Sequence, residues 1–153
     1  MLTLNQHISI FKNFQERHSQ INSFGFGPQS VLTNTEHEDV GDRLKYPILM
    51  MDAETISITG NDLRRPYTFM VLDILQSGNK NEREVLSDTQ QIMFDLFAYL
   101  KNTPPNLKVV VDLTSSPEPV LNVFDDSLGG WRFTLTLKEA IQYNACTIPF
   151  IIS

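Results

Sequence analysis

Residues 67–75, YTFMVLDIL, are apolar on both alternating faces except at Asp73. A β-prone run with no polar face belongs inside a sheet, with a strand along each edge and cover on both sides. This one segment commits the chain to a layered fold built on a sheet. With 153 residues there is enough chain for one such domain and too little for two ordinary ones, so we read residues 1–153 as a single domain.

The rest of the chain supplies the layers. In residues 4–21, Leu4, Ile8, Phe11, Phe14 and Ile21 fall on one helical face, with Thr3 as N-cap and the GFGP run at residues 25–28 as the stop. Residues 82–101 carry Val85, Leu86, Thr89, Met93, Leu96, Phe97 and Leu100 at the helical period, with Glu82 and Glu84 in the first turn and Lys101 in the last, the order the helix dipole favours. Strands are predicted at residues 47–59, at 107–113 with Leu107, Val109, Val111 and Leu113 on one face, and at 131–138 with Trp131, Phe133, Leu135 and Leu137 inward. Residues 115–130, with two prolines and adjacent glycines, read as a long ordered loop. The closing CTIPFII holds a proline that bars a central ladder position, so it reads as an edge segment or a contact arm. The expected architecture is α+β: a mainly antiparallel four-stranded sheet with the N-terminal helix and the second amphipathic helix on one face.

Composition narrows the function. Twelve basic against eighteen acidic residues give a net charge of −6, which excludes general affinity for duplex nucleic acid through phosphate neutralisation. One cysteine makes no intrachain disulfide. Residues 1–14 lack the basic start and apolar run of a secretory signal, and no apolar stretch approaches the ~20 residues needed to cross a bilayer, so cytoplasmic synthesis and no membrane contact are expected.

The scarce chemical groups do not assemble into a signature. His7 and His18 stand too far apart along one helix to share an ion, and His37 in EHED matches neither zinc spacing nor a calcium loop. Cys146 reads as a small buried hydrophobe. No serine has glycines two residues to each side, and the glycines at 25 and 27 have no downstream lysine in the P-loop position. We expect no enzymatic activity, no metal and no cofactor. The alternative from a different class is a small metal-dependent hydrolase using Asp112, Asp125 or Asp126; a monomeric binding module is a third.

Residues 124–149, FDDSLGGWRFTLTLKEAIQYNACTIP, join an aspartate turn, a Gly-Trp that opens a strand of alternating apolar residues and threonines, and a Cys-x-Ile-Pro close. This stretch resembles small neck and tail proteins of long-tailed phages, particularly those infecting Bacteroidetes, and the element order upstream is similar to the tail-terminator fold of that class. The resemblance implies a structural virion protein of the tail or neck, assembled in the host cytoplasm. It implies a ring, commonly hexameric, that caps the tail tube, ends its polymerisation and docks to the head connector while DNA passes through without specific binding. Another neck connector or a stopper ring fits the same resemblance. On that reading Glu36, Glu38, Asp39 and Asp42 form a loop facing the lumen, with an ordinary solvated loop as the alternative. Arg64 and Arg65, expected at the tip between two strands, Trp131 and Phe150 are the candidate partner contacts; a solvated turn for the arginines and a core position for Trp131 are the alternatives.

Overall fold

Thr3 starts the first helix as expected. Its Oγ1 accepts from the Gln6 N–H at 3.2 Å while Gln6 Oε1 accepts from the Thr3 N–H at 2.7 Å, a reciprocal capping box for α1 (Leu4–Arg17). The helix ends at Arg17, short of the GFGP run, because Ser23–Phe26 is drawn into the sheet as β1. A computed structural model describes residues 2–27, 45–102, 109–123 and 127–151. Its further elements are β2 (Ile48–Ala53), β3 (Ser57–Thr59), β4 (Asp62–Ile74), α2 (Glu82–Lys101), β5 (Val110–Asp112), β6 (Glu118–Val123) and β7 (Leu128–Ala140), with single 3₁₀ turns at Ser77–Asn79 and Ala145–Thr147.

The α+β class holds, but the sheet is larger and more mixed than a four-stranded antiparallel one. Seven strands among the described residues make five lanes, β1, β2, β4, β7 and β5; β3 shares the β2 side of β4, and β6 shares the β5 side of β7. β1 runs parallel to β2, and the remaining pairs are antiparallel. The expected loop before β7 contains β6, whose Pro119 is tolerated because it lies on an edge strand. Pro66 stands in β4 where its outer neighbour changes, between Arg64, paired with Ser57 of β3, and Tyr67, paired with Ala53 of β2.

β4 is the central strand that its sequence requires. It pairs with β7 over its whole length, from Asp62 opposite Ala140 to Ile74 opposite Leu128. Its odd-numbered side chains Tyr67, Phe69 and Val71 join Leu49, Met51, Phe133, Leu135 and Leu137 beneath Phe11 and Phe14 of α1 and Ile92, Met93 and Leu96 of α2. Both helices therefore cover one face. On the opposite face Ile48, Met50, Met70, Leu72 and Leu128 form a smaller cluster with Val120 and Val123 from β6 packed on it. Gly130 is required by this pairing, since a Cβ there would stand 1.8 Å from the Val71 carbonyl oxygen.

Candidate functional site

Parity along β7 carries a charge into the core. After Trp131, Phe133, Leu135 and Leu137 the next inward position is Glu139, which is buried. Arg65 occupies the inward position of β4 one diagonal step away, and its Nη2 closes an ion pair with Glu139 Oε2. The same nitrogen donates to the Leu2 carbonyl at 2.8 Å and to His7 Nε2 at 3.1 Å, while Glu139 Oε1 accepts from the Leu2 N–H at 3.0 Å. A guanidinium has only donors, so His7 Nε2 offers its lone pair and the ring proton sits on Nδ1, aimed at the Tyr67 hydroxyl oxygen 2.7 Å away. Burial, and then the Arg65 charge, hold the His7 pKa down at about 4 against its ordinary 6.5, so the ring is neutral. His7, Arg65, Tyr67 and Glu139 are all buried, which closes the cluster to substrate. It acts as a clamp that ties the start of α1 to β4 and β7.

The even-numbered positions build an accessible site on the face away from the helices. Met50, Met70, Arg132 and Glu118 stand in one row across β2, β4, β7 and β6; Asp52, Thr68 and Thr134 stand in the next. With residues 114–116 as one wall, they line an open groove of about 610 Å³. Of its charged groups, Arg132 pairs with Glu118, Glu54 accepts from the Thr68 hydroxyl at 2.7 Å and Asp52 accepts from the Ala53 N–H at 2.9 Å. Met50 and Met70 are buried in its floor, so what remains for a ligand is the half-buried carboxylate of Asp52 and the hydroxyls of Thr134, Thr136 and Ser116. Such a surface offers hydrogen-bonding groups above an apolar floor.

The sequence-predicted residues disperse over the fold. Glu36, Glu38, Asp39, Asp42, His37, Asp125 and Asp126 lie outside the described residues. Arg64 and Arg65 are not at a turn; the turn is at Gly60, with φ of 60°, and both arginines lie within β4. Arg64 is exposed, whereas Arg65 is held inward by Glu139, so Arg65 is a clamp residue and not a free partner contact. Trp131 is half-buried against the helix-side core and donates Nε1–H to the Leu86 carbonyl at 2.9 Å, which fits the core reading. Phe150 is 76% exposed on a terminal arm outside the sheet, so the closing segment is not an edge strand. Cys146 is exposed, contrary to the expectation of a buried thiol.

Asp112, one of the hydrolase candidates, accepts from the Thr114 N–H at 2.8 Å and pairs with Lys138 Nζ at 3.1 Å; these contacts hold its carboxyl down at about 2. Among the described residues no group of three or more His, Cys, Asp or Glu side chains converges to hold a metal ion. Nor is any helix among them long and apolar enough to cross a membrane. The alternation of residues 131–138 places Arg132, Thr134 and Thr136 outward but does not by itself reveal the groove. Its signal was present, since the threonines of β4 and β7 share one parity with Met50 and Met70. No protein-family model matches the chain, and no curated protein matches it.

Proposed function

We propose that the chain is a ring-forming structural subunit of a phage tail. It terminates tail-tube polymerisation at the head-proximal end and joins the tail to the head connector, with no catalytic step. The observation that carries the reading is a sheet open on both sides. Among the described residues the outer edges of β1 and β3 on one flank, and of β5 and β6 on the other, pair with no further strand. Exposed apolar residues stand on both flanks, Ile58 on β3 and Val110 on β5. A solitary domain shields such edges. Two different flanks that meet head to tail make a heterologous contact, and a heterologous contact with the right rotation closes a ring.

The partners on this reading are further copies of the chain, commonly six, together with the tail-tube protein and the head connector, in a virion assembled in the host cytoplasm. A net charge of −6 suits a subunit past which DNA slides without being held. A connector or stopper ring of the neck shares these requirements, and binding to tail-tube protein separates the terminator from them. Electron microscopy of the purified protein with and without tail tubes tests the reading: rings, or rings capping tube ends, are expected. A strict monomer that leaves tube length unchanged refutes it.

A further inference from the structure

The groove on the open sheet face carries more negative charge than it neutralises. Among the described residues its lining holds the carboxylates of Asp52, Glu54 and Glu118 against one cation, Arg132, which Glu118 takes. No described lysine or arginine pairs with Asp52 or Glu54. Asp52 lies opposite Thr68 in the ladder, and the Thr68 hydroxyl reaches Glu54, so the two carboxylates flank one threonine. The Glu54 N–H donates to the Pro66 carbonyl at 3.1 Å, which fixes that residue against β4. Each carboxylate is engaged through one oxygen: Asp52 Oδ1 takes the Ala53 N–H and Glu54 Oε1 takes the Thr68 hydroxyl. Asp52 Oδ2 and Glu54 Oε2 have no hydrogen-bond donor among the described residues, although a carboxylate has room for about four. Asp52 is half-buried, so water screens its repulsion from Glu54 only in part.

We propose that the groove docks a protein partner through one basic side chain, a lysine or arginine whose cationic head sits between Asp52 and Glu54. This docking site is independent of the ring reading, because it lies on the face of the sheet whereas the ring closes through the edges. Charge complementarity selects the occupant: a cation shared by the two carboxylates relieves their repulsion, and it fixes the register of the segment that carries it. A divalent ion takes about six oxygens or more, and no third His, Cys, Asp or Glu converges here among the described residues. A nucleic-acid backbone meets its own sign of charge. The walls suit a long side chain. Buried Met50 and Met70 give an apolar floor for the aliphatic stem, and the hydroxyls of Ser116, Thr134 and Thr136 supply acceptors for the N–H groups of the head or of the partner's backbone. The volume of about 610 Å³ lies within the range that proteins devote to a bound group.

A short neutral peptide with one lysine, acetyl-Ser-Lys-Ser amide, is titrated into isotope-labelled protein while the backbone amide NMR signals are followed. The expected result is saturable shifts at Asp52, Glu54, Ser116, Thr134 and their neighbours, with a Kd of about 1–10 mM that rises with added salt. The arginine peptide should behave alike, and peptides with glutamine or glutamate in place of lysine should bind at least about tenfold more weakly. Asp52→Asn combined with Glu54→Gln keeps the size of both side chains and the oxygens they use within the chain. That variant should lose about tenfold or more in affinity for the lysine peptide. If it does not fold, the comparison of lysine with glutamine peptide on the parent chain decides alone. Equal shifts with the glutamine peptide, shifts centred elsewhere, or no shifts up to about 20 mM overturn the proposal. Calcium or magnesium chloride that saturates the same signals below the peptide's Kd assigns the site to a metal ion and overturns it as well.

Discussion

Replacing Glu139 by Gln keeps the size of the side chain and removes its charge. In the folded protein Oε2 accepts from Arg65 and Oε1 accepts from the Leu2 N–H. An amide offers one acceptor and one donor, so whichever way Gln is turned, an N–H faces either the guanidinium or the Leu2 amide. Arg65 cannot shed its proton and is already short of partners, since its Nε is buried with no hydrogen-bond acceptor among the described residues. Removing one partner of a buried ion pair costs about 3–5 kcal/mol, a large share of the roughly 5–15 kcal/mol that holds a domain together. For a chain of this length that corresponds to a fall in Tm of about 6–20 °C. Urea unfolding should show the midpoint move with an unchanged slope, because the exposed surface of unfolding is the same. The paired replacement Arg65→Met with Glu139→Leu should recover most of the loss, since an apolar pair of similar volume leaves no ion to desolvate. Stability of the Glu139→Gln variant within about 0.5 kcal/mol of the parent would refute the clamp.

Three other perturbations probe the same framework. The His7 pKa lies below its unfolded value, so the unfolded chain binds the proton more readily; stability should be full above pH 6.5, fall by up to about 3 kcal/mol as pH drops towards 4, and level off below that. Denaturation curves across this range should lose that slope component in a His7→Phe variant, and an identical slope would show that His7 does not contribute. Gly130→Ala should destabilise by about 1–3 kcal/mol, because the new methyl meets the Val71 carbonyl of the paired strand, and a neutral result in thermal unfolding would contradict the close approach. Trp131→Phe should cost about 1 kcal/mol, since the Leu86 carbonyl loses the indole donor but keeps its place in the helix; a loss several times larger would indicate a packing role beyond that bond.

How far the sequence reveals the fold depends on how local each signal is. The two-sided apolar run that opened the reading is the central strand, the Thr3 cap is formed, and the 3.6-residue period of residues 82–101 is a helix over the same limits. Each of these is decided by neighbours a few residues away. β1 escaped notice because SFGF has a glycine in the middle and gains its strand character only from pairing with Ile48–Met51, more than twenty residues on. β6 was hidden by Pro119 and by Asn122, whose φ of 53° marks the irregularity in its pairing with β7. Arg65 looked like a turn residue because its partner is 74 positions away, although the inward parity of β7 leads straight to Glu139. The groove has the same cause: its rows come from four strands, and only register brings them together.

The proposed ring requires the chain to be one copy of a head-to-tail assembly. Mass measured under native conditions over a range of protein concentrations, with tail-tube protein added in a second series, tests that claim most directly. The prediction is a closed series ending at a single ring mass, six copies on the family resemblance, appearing with concentration or on contact with the tube. A monomer mass throughout both series, with no bound tube protein, would contradict it.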